Sequence, residues 1–262
     1  MTATATSPAR VRVPPVVVGA IAVAWALAAG AEISGRGSAL HHDALIEGRM
    51  PYALALVLFL VAWQAMVAAM MVPSTLPLVR LFAAASAGQP RSRAALAGFL
   101  GGYALVWTAF GWLAFVGDTM VHATVDHTPW LQQHEWLIAG GTLALAGAFQ
   151  FTALKDRCLD VCRHPGAFLL RHYERGLGGA FRLGRRHGLF CLGCCWALML
   201  LMFAAGVANL WWMAGLTALM VYEKTGRRGR RAVPVAGIAL LACAALVLAQ
   251  PHWLPPILGG NH

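Results

Sequence analysis

Long apolar runs, separated by short polar segments, dominate the chain. A helix needs about 20 consecutive apolar residues to cross the hydrocarbon layer of a bilayer. Seven runs come close to that length or exceed it, so the pattern predicts seven membrane helices, over residues 14–33, 52–72, 94–116, 136–154, 188–205, 207–222 and 232–250. The predicted fold class is therefore all-α, with residues 1–262 forming one polytopic membrane helical bundle.

Two places in this pattern need a closer reading. Only Gly206 and its neighbours separate the fifth run from the sixth, and together these runs hold about 34 residues, twice what one span requires. We therefore expect two helices joined by a tight turn at residues 206–209. Arg10 and Arg12 before the first run, with Ala28-Ala-Gly-Ala near its end, resemble a signal peptide. Because the run is longer than a usual signal core, an uncleaved helix is the favoured interpretation.

The basic residues predict the orientation of the bundle. The chain is 59% hydrophobic and 11% charged, and with the amino terminus inside, every Lys and Arg except Arg36 and Arg49 falls in an inside segment. This predicts an inner-membrane protein with its amino terminus inside and its carboxyl terminus outside. The net charge of +10 then follows from topology, so no nucleic acid is expected as a partner. The basic segments are expected to contact anionic membrane lipids.

The longest and most basic inside segment is predicted to lie on the membrane surface. Within residues 155–187, apolar side chains recur near helical spacing among arginines, which is typical of an amphipathic helix in the inner leaflet. The apolar positions are Phe168, Leu169, Tyr173, Leu177 and Phe181. Four glycines, at positions 176, 178, 179 and 184, are expected to break this helix before the fifth span begins.

Cysteines open the fifth predicted span and close the fourth. Positions three and four apart share a helix face, and a stripe of soft donors covers an arc of roughly 100° at the start of the fifth span. Its members are His187, Cys191, Cys194, Cys195 and Met202. Cys158 and Cys162 end the span before it. Thiolates and thioethers select Cu(I), and thiolates also suit Zn(II), so a soft-metal site or a thiol redox site is expected.

Topology brings these cysteines to one depth at the cytoplasmic face. The second span runs toward the same face and is expected to end at Met71, Pro73 and Pro77. We predict a metal site whose ligands are Cys158, Cys162, Cys191, Cys194, Cys195, Met66, Met70 and His187. Five thiols exceed one tetrahedral set, so either two ions bind or some cysteines only support the site. Ordinary packing of small apolar residues is the alternative, and it is the one expected for Cys243.

At these motifs the sequence resembles a bacterial family of integral membrane proteins that are predicted to bind metal. The likeness rests on residues 63–73, 154–165 and 187–199, with Gly-Cys-Cys-Trp as the distinctive core, followed by a Glu-Lys pair. The resemblance implicates the ligands already named, and it adds Met71, Lys155, Met199, Glu223 and Lys224. The family pattern has a methionine before the Asn-Leu pair, where this chain has Ala208.

These residues leave two functions open. The first is an inner-membrane protein that binds copper, with zinc as the alternative metal, and holds it for transfer to a partner protein or across the bilayer. Weaker thioether ligands would line the path at Met66, Met70, Met202 and Met213. The second is a membrane-embedded metal- or thiol-dependent oxidoreductase acting on a lipid-soluble substrate, with Lys155, Glu223 and Lys224 as proton donors or anchors. A scaffold for a partner subunit would leave the cysteines unexplained.

Overall fold

The structure of the protein is a computed structural model that describes residues 12–34, 51–134, 136–205 and 209–250. The regular structure within these ranges is helical throughout, which confirms the predicted all-α class. The helices are α1 (Pro15–Ile33), α2 (Tyr52–Ser86), α3 (Ser92–Asp126), α4 (Pro129–Gln132), α5 (Trp136–Phe149), α6 (Ala153–Arg163), α7 (Pro165–His172), α8 (Gly176–Ala205), α9 (Leu210–Thr225) and α10 (Gly229–Ala249). Most of the turn predicted at residues 206–209, with Ala208, lies outside the described residues, as do Arg10, Arg36 and Arg49.

Four helices, α1, α2, α3 and α10, are long and apolar enough to cross a membrane. Helices α5 and α6 together would make a fifth candidate span, although they are bent by 63° at the break between them. The described residues therefore contain four to five candidate spans. The number seven, which also counts α8 and α9, stays a prediction.

Helix α2 continues through Pro73 and Pro77 to Ser86, past the predicted end of the second span. A proline inside a helix has no N–H for the carbonyl four residues earlier. For Pro73 that carbonyl belongs to Ala69, and the indole Nε1–H of Trp25 in α1 donates to it at 3.1 Å. The donor that proline removes is thus replaced by a side chain from a neighbouring helix, and the helix survives.

The glycines predicted to break the chain before the fifth span lie within α8 instead. Only Gly176, at the first position of α8, has a positive φ, of 86°. Gly184 faces the backbone of Phe99 in α3 so closely that a Cβ atom would not fit, and Gly102 of α3 faces the carbonyl of Phe181 in the same way. These glycines let α3 and α8 pack backbone to backbone, as small residues do between membrane helices.

The predicted surface helix over residues 155–187 is also corrected. Helices α6 and α7 and the first turns of α8 divide this segment, because Pro165 begins a new helix at its first position. Phe168 and Leu169 of α7 are buried in a cluster with Phe82 and Phe99, so their apolar side faces protein. Part of the predicted apolar face, at Phe168 and Leu169, therefore packs on the bundle, whereas Leu177 is exposed.

The largest buried cluster is rich in sulfur. Its cysteines are Cys158, Cys162, Cys191, Cys194 and Cys195. Its methionines are Met66, Met70, Met71, Met199, Met202, Met213 and Met220. They come from α2, α6, α8 and α9, which surround the region described next.

Candidate metal centre

The helical spacing of α8 places three thiols inside the bundle. Cys191, Cys194 and Cys195 are fully buried, with at most 1% of each residue exposed. They follow the close contact between α3 and α8, so the glycines that join these helices also fix the depth at which the thiols lie. The thiol of Cys194 donates to the carbonyl oxygen of Cys191 at 3.1 Å, which orients its sulfur within the helix.

Helix α6 brings a second pair of thiols to the same place. The chain leaves α5 at residues 150–152, and the Oγ1 of Thr152 accepts from the backbone N–H of Lys155, which caps the start of α6. One face of α6 is then buried and carries Lys155, Cys158, Leu159 and Cys162. The polar residues between them, Asp156 and Arg157, are exposed. The sequence of α6 therefore turns both of its cysteines inward.

The sulfur atoms form a contiguous chain across the two helices. The Sγ atoms of Cys162 and Cys194 are 3.9 Å apart, and those of Cys194 and Cys195 are 3.3 Å apart. Cys195 is also within hydrogen-bonding reach of Cys191. All of these cysteines are free thiols. Two sulfurs bound to one tetrahedral ion at about 2.3 Å lie roughly 3.8 Å apart, so the Cys162–Cys194 distance already fits a shared metal ion.

Cys158 joins the group by a different contact. A Cβ atom built on Gly193 of α8 would lie only 2.5 Å from its Sγ. The glycine in the Gly-Cys-Cys motif therefore makes room for the Cys158 thiol. Both Cys158 and Cys162 are 8% exposed, slightly more than the thiols of α8. The α6 thiols thus lie on the more accessible side of the chain of sulfurs.

Cys191 has two polar partners on other helices, Lys224 of α9 and Tyr103 of α3. The ammonium of Lys224 in α9 donates to its Sγ at 3.1 Å and to the Oγ of Ser74 in α2 at 2.9 Å. The hydroxyl of Tyr103 in α3 lies 3.1 Å from the same sulfur and receives a hydrogen bond from Thr75 at 3.4 Å. Tyr103, Ser74 and Thr75 were not predicted. Only the position of Ser74 and Thr75 beside Pro73, in the middle of an apolar run, could have drawn attention to them.

A buried ion pair fixes α6 against α9. The Nζ of Lys155 lies 2.6 Å from the Oε2 of Glu223, and the two side chains are 0% and 1% exposed. The guanidinium of Arg163 donates to the backbone carbonyls of Glu223 and Gly226, at 2.9 Å for the latter, where α9 ends. Arg230 and Asp160 add an exposed pair at 3.4 Å. Lys155 and Glu223 therefore hold the thiol-bearing helix in place.

His187 lies one helical turn before the thiols, in an aromatic pocket. Its ring stacks on Tyr103 with centroids 5.9 Å apart and meets Phe168 at 5.6 Å. Its Nδ1 atom is buried and has no hydrogen-bond partner in the structure. The predicted histidine is therefore close to Tyr103, which itself contacts Cys191, while aromatic rings surround the imidazole.

The predicted methionines share the buried cluster with the thiols. Met66, Met70 and Met71 of α2 and Met199 of α8 are 0 to 4% exposed. In the described residues, however, no group of three or more His, Cys, Asp or Glu side chains is arranged as a closed metal site. The arrangement offers pairs of neighbouring thiols with thioethers nearby, which is a donor set that soft Cu(I) selects.

Comparison with known proteins identifies a matching family. Residues 60–247 match the model of the PpoB2 family, which carries the description copper chaperone. The matched range runs from α2 into α10 and includes the five buried cysteines, Lys155, Glu223 and Lys224. Neither a curated protein nor a solved structure matches the chain. The predicted likeness to a metal-related family is confirmed at that level, and the chain belongs to the PpoB2 family.

Proposed function

We propose that the protein is a membrane copper chaperone that holds Cu(I) between buried thiolates and passes it to a partner. The observation that carries this proposal is the contiguous chain of thiols from α6 and α8. The description of the PpoB2 family supports the same metal. Copper is favoured, and zinc is the alternative that the thiols would also accept.

Cys162, Cys194 and Cys195 are the proposed primary ligands. Their sulfurs come from two helices. The Sγ of Cys194 lies 3.9 Å from that of Cys162 and 3.3 Å from that of Cys195. Cys191 continues the chain toward Lys224, and Cys158 lies at its other side against Gly193. A Cu(I) ion could therefore be exchanged between neighbouring thiolate pairs without leaving the sulfur environment.

Methionines extend the sulfur environment along the bundle. A helix rises about 1.5 Å per residue, so positions four residues from Lys224, Cys191 and Ser74 lie about 6 Å deeper in the helix bundle. These positions are Cys195, Met70 and Met220. The next turn adds Met66 and Met199, and Met202 and Met213 follow. Thioethers are neutral donors, so this series would hold Cu(I) less strongly than the thiolates and favour its exchange.

We further propose that the thiol chain lies near the cytoplasmic face of the inner membrane. The distribution of Lys and Arg supports this orientation, with seven spans and the carboxyl terminus outside. Anionic lipids would then contact the basic inner surface. The partner in metal transfer would be a protein that presents soft ligands to the α6 side, where Cys158 and Cys162 are the least buried of the five thiols.

Copper binding by purified protein tests the proposal. The double substitution Cys162→Ser, Cys194→Ser removes the contact between the two helices, and we expect it to lower Cu(I) affinity by at least a hundredfold, measured by competition with a chromophoric Cu(I) chelator. Cys243→Ser is the matched control, because Cys243 is an exposed cysteine on α10. Unchanged affinity in the double variant, or a wild-type protein without Cu(I) affinity, would contradict the proposal.

The oxidoreductase alternative stays a prediction, and the same purified protein addresses it. A thiol oxidoreductase would cycle between thiol and disulfide when a lipid-soluble oxidant is added without copper. A chaperone would keep its thiols reduced under the same conditions. Thiol titration before and after turnover with a quinone therefore separates the two functions.

A further inference from the structure

The thiol centre, as far as the structure describes it, contains one buried ammonium, on Lys224, that is not paired with a carboxylate. Within the described residues, the buried side chains that carry formal charge are Lys155, Glu223 and Lys224. Lys155 and Glu223 neutralise each other at 2.6 Å. Lys224 donates to a neutral hydroxyl, on Ser74, and to the sulfur of Cys191. His187 adds no charge, because a buried imidazolium would leave its unpartnered Nδ1–H without an acceptor.

A fixed positive charge repels a divalent ion twice as strongly as a monovalent one. For unit charges about 6 Å apart, with an effective dielectric constant of about 20, the difference corresponds to roughly a hundredfold change in relative affinity. The Lys224 ammonium lies 3.1 Å from the sulfur of Cys191, at one end of the thiol chain, so an ion bound to that sulfur would lie within this range.

We propose that Lys224 is a specificity-determining residue that makes the thiol centre select monovalent Cu(I) over divalent Zn(II). This inference rests on the proposed function and deepens it. Two thiolates and one Cu(I) carry a net charge of −1, which the Lys224 ammonium neutralises. For the same number of thiolates, a Zn(II) complex carries one more positive charge than a Cu(I) complex, so the buried Lys224 ammonium disfavours it more.

The selectivity does not depend on the protonation of the metal-free thiols. Both ions would bind the same sulfurs, starting from the same metal-free protein. The charge of that starting state therefore cancels from the ratio of the two affinities. The affinity ratio then depends on the repulsion between the Lys224 ammonium and the one additional positive charge that Zn(II) carries.

Metal competition with the full-length protein in detergent tests this role. Cu(I) and Zn(II) affinities are measured separately, under a non-coordinating reductant, by competition with chromophoric chelators. Lys224→Met keeps the length of the side chain and removes its charge. We expect the ratio of Cu(I) to Zn(II) affinity to fall about a hundredfold. Lys224→Arg keeps the charge, and we expect it to retain most of the wild-type ratio.

The matched control is Arg227→Met, which removes the same charge from an exposed position three residues away. Solvent screens this charge, so the affinity ratio should stay within about threefold of the wild-type value. Lys224→Gln provides a second neutral variant that can still donate to Ser74, and it decides the outcome if Lys224→Met does not fold.

Each result has a defined meaning. A lower ratio in the neutral Lys224 variants, with a near wild-type ratio in Lys224→Arg and Arg227→Met, supports the inference. A wild-type protein that binds Cu(I) while the neutral Lys224 variants keep its ratio overturns the inference and leaves the proposed function standing. Equal shifts in Lys224→Met and Arg227→Met also overturn it. A wild-type protein that binds no Cu(I) overturns both.

Discussion

Gly193 shows how strongly single residues are constrained around the thiols. It precedes Cys194 and Cys195, and the sulfur of Cys158 occupies the space that a side chain at this position would need. The constraint acts between helices that are distant in the sequence. The Gly-Cys-Cys motif therefore encodes a contact with α6 as well as two thiols.

We expect Gly193→Ala to displace Cys158 and to cost about 1–3 kcal/mol in the free energy of unfolding, because the new methyl group overpacks the core. The displaced thiol should also react faster with a small maleimide. Gly215→Ala on α9 is the control, since nothing lies within 4 Å of a Cβ atom at that position. Unfolding in detergent and labelling followed by mass spectrometry measure the two effects. Equal behaviour of both variants would mean that Gly193 is not packed against Cys158.

Among the helices, the contact between α1 and α2 compensates for a proline. The indole of Trp25 supplies the hydrogen bond that Pro73 cannot donate to Ala69. This arrangement ties α1 to the helix that carries Ser74, and Ser74 accepts from Lys224. A residue far from the thiols thus supports the position of one of their partners.

A double-mutant cycle tests this compensation. Trp25→Phe leaves the Ala69 carbonyl without a donor, and we expect a loss of about 1–2 kcal/mol in the free energy of unfolding. In a Pro73→Ala background the new backbone N–H at position 73 can donate to that carbonyl, so Trp25→Phe should cost clearly less. Additive effects in the cycle would show that the two donors do not replace each other.

At the scale of the whole molecule, the number of membrane-spanning helices determines the orientation of the thiol-bearing helices. The described helices include four or five candidates, whereas the apolar runs and the basic residues favour seven. Helices α8 and α9 account for the difference. They carry the thiols and Lys224, so their placement in the bilayer determines the face at which copper would bind.

A topology reporter distinguishes four spans from seven. With seven spans and the amino terminus inside, a periplasm-active phosphatase fused after Asn261 should be active, and a fusion after Arg227 should be inactive. Fluorescence from a reporter that fluoresces only in the cytoplasm, fused after Asn261, would rule out the seven-span arrangement. Expression of both fusions is compared by immunoblot, so that low activity is not mistaken for an inside location.

The helical class could be predicted because apolar runs of this length have few other solutions. The first helix was predicted as residues 14–33 and is found at Pro15–Ile33. The end of α2 and the start of α8 could not be predicted in the same way. Whether Pro73 ends a helix depends on a donor from Trp25, and whether Gly184 breaks one depends on the backbone of Phe99. Both depend on tertiary contacts that a local pattern does not contain.

The same distinction applies to the candidate centre. Helical spacing was enough to group Cys191, Cys194 and Cys195, and the structure places Cys162 beside them. The polar partners of Cys191 come from α3 and α9, at least 33 residues away in sequence from the cysteine. Tyr103 has no motif of its own and becomes visible only when α3 packs against α8. The metal ligands themselves stay a prediction.

The clamp that Arg163 forms on the end of α9 has a consequence for tolerance to acid. A guanidinium keeps its charge at every pH a cell encounters, and backbone carbonyls do not titrate. Its bonds to the carbonyls of Glu223 and Gly226 would therefore survive in conditions that protonate a carboxylate. Acidification that protonates Glu223 would break the neighbouring Lys155–Glu223 ion pair. The hydrogen bonds of Arg163 would still join the carboxyl end of α6 to α9.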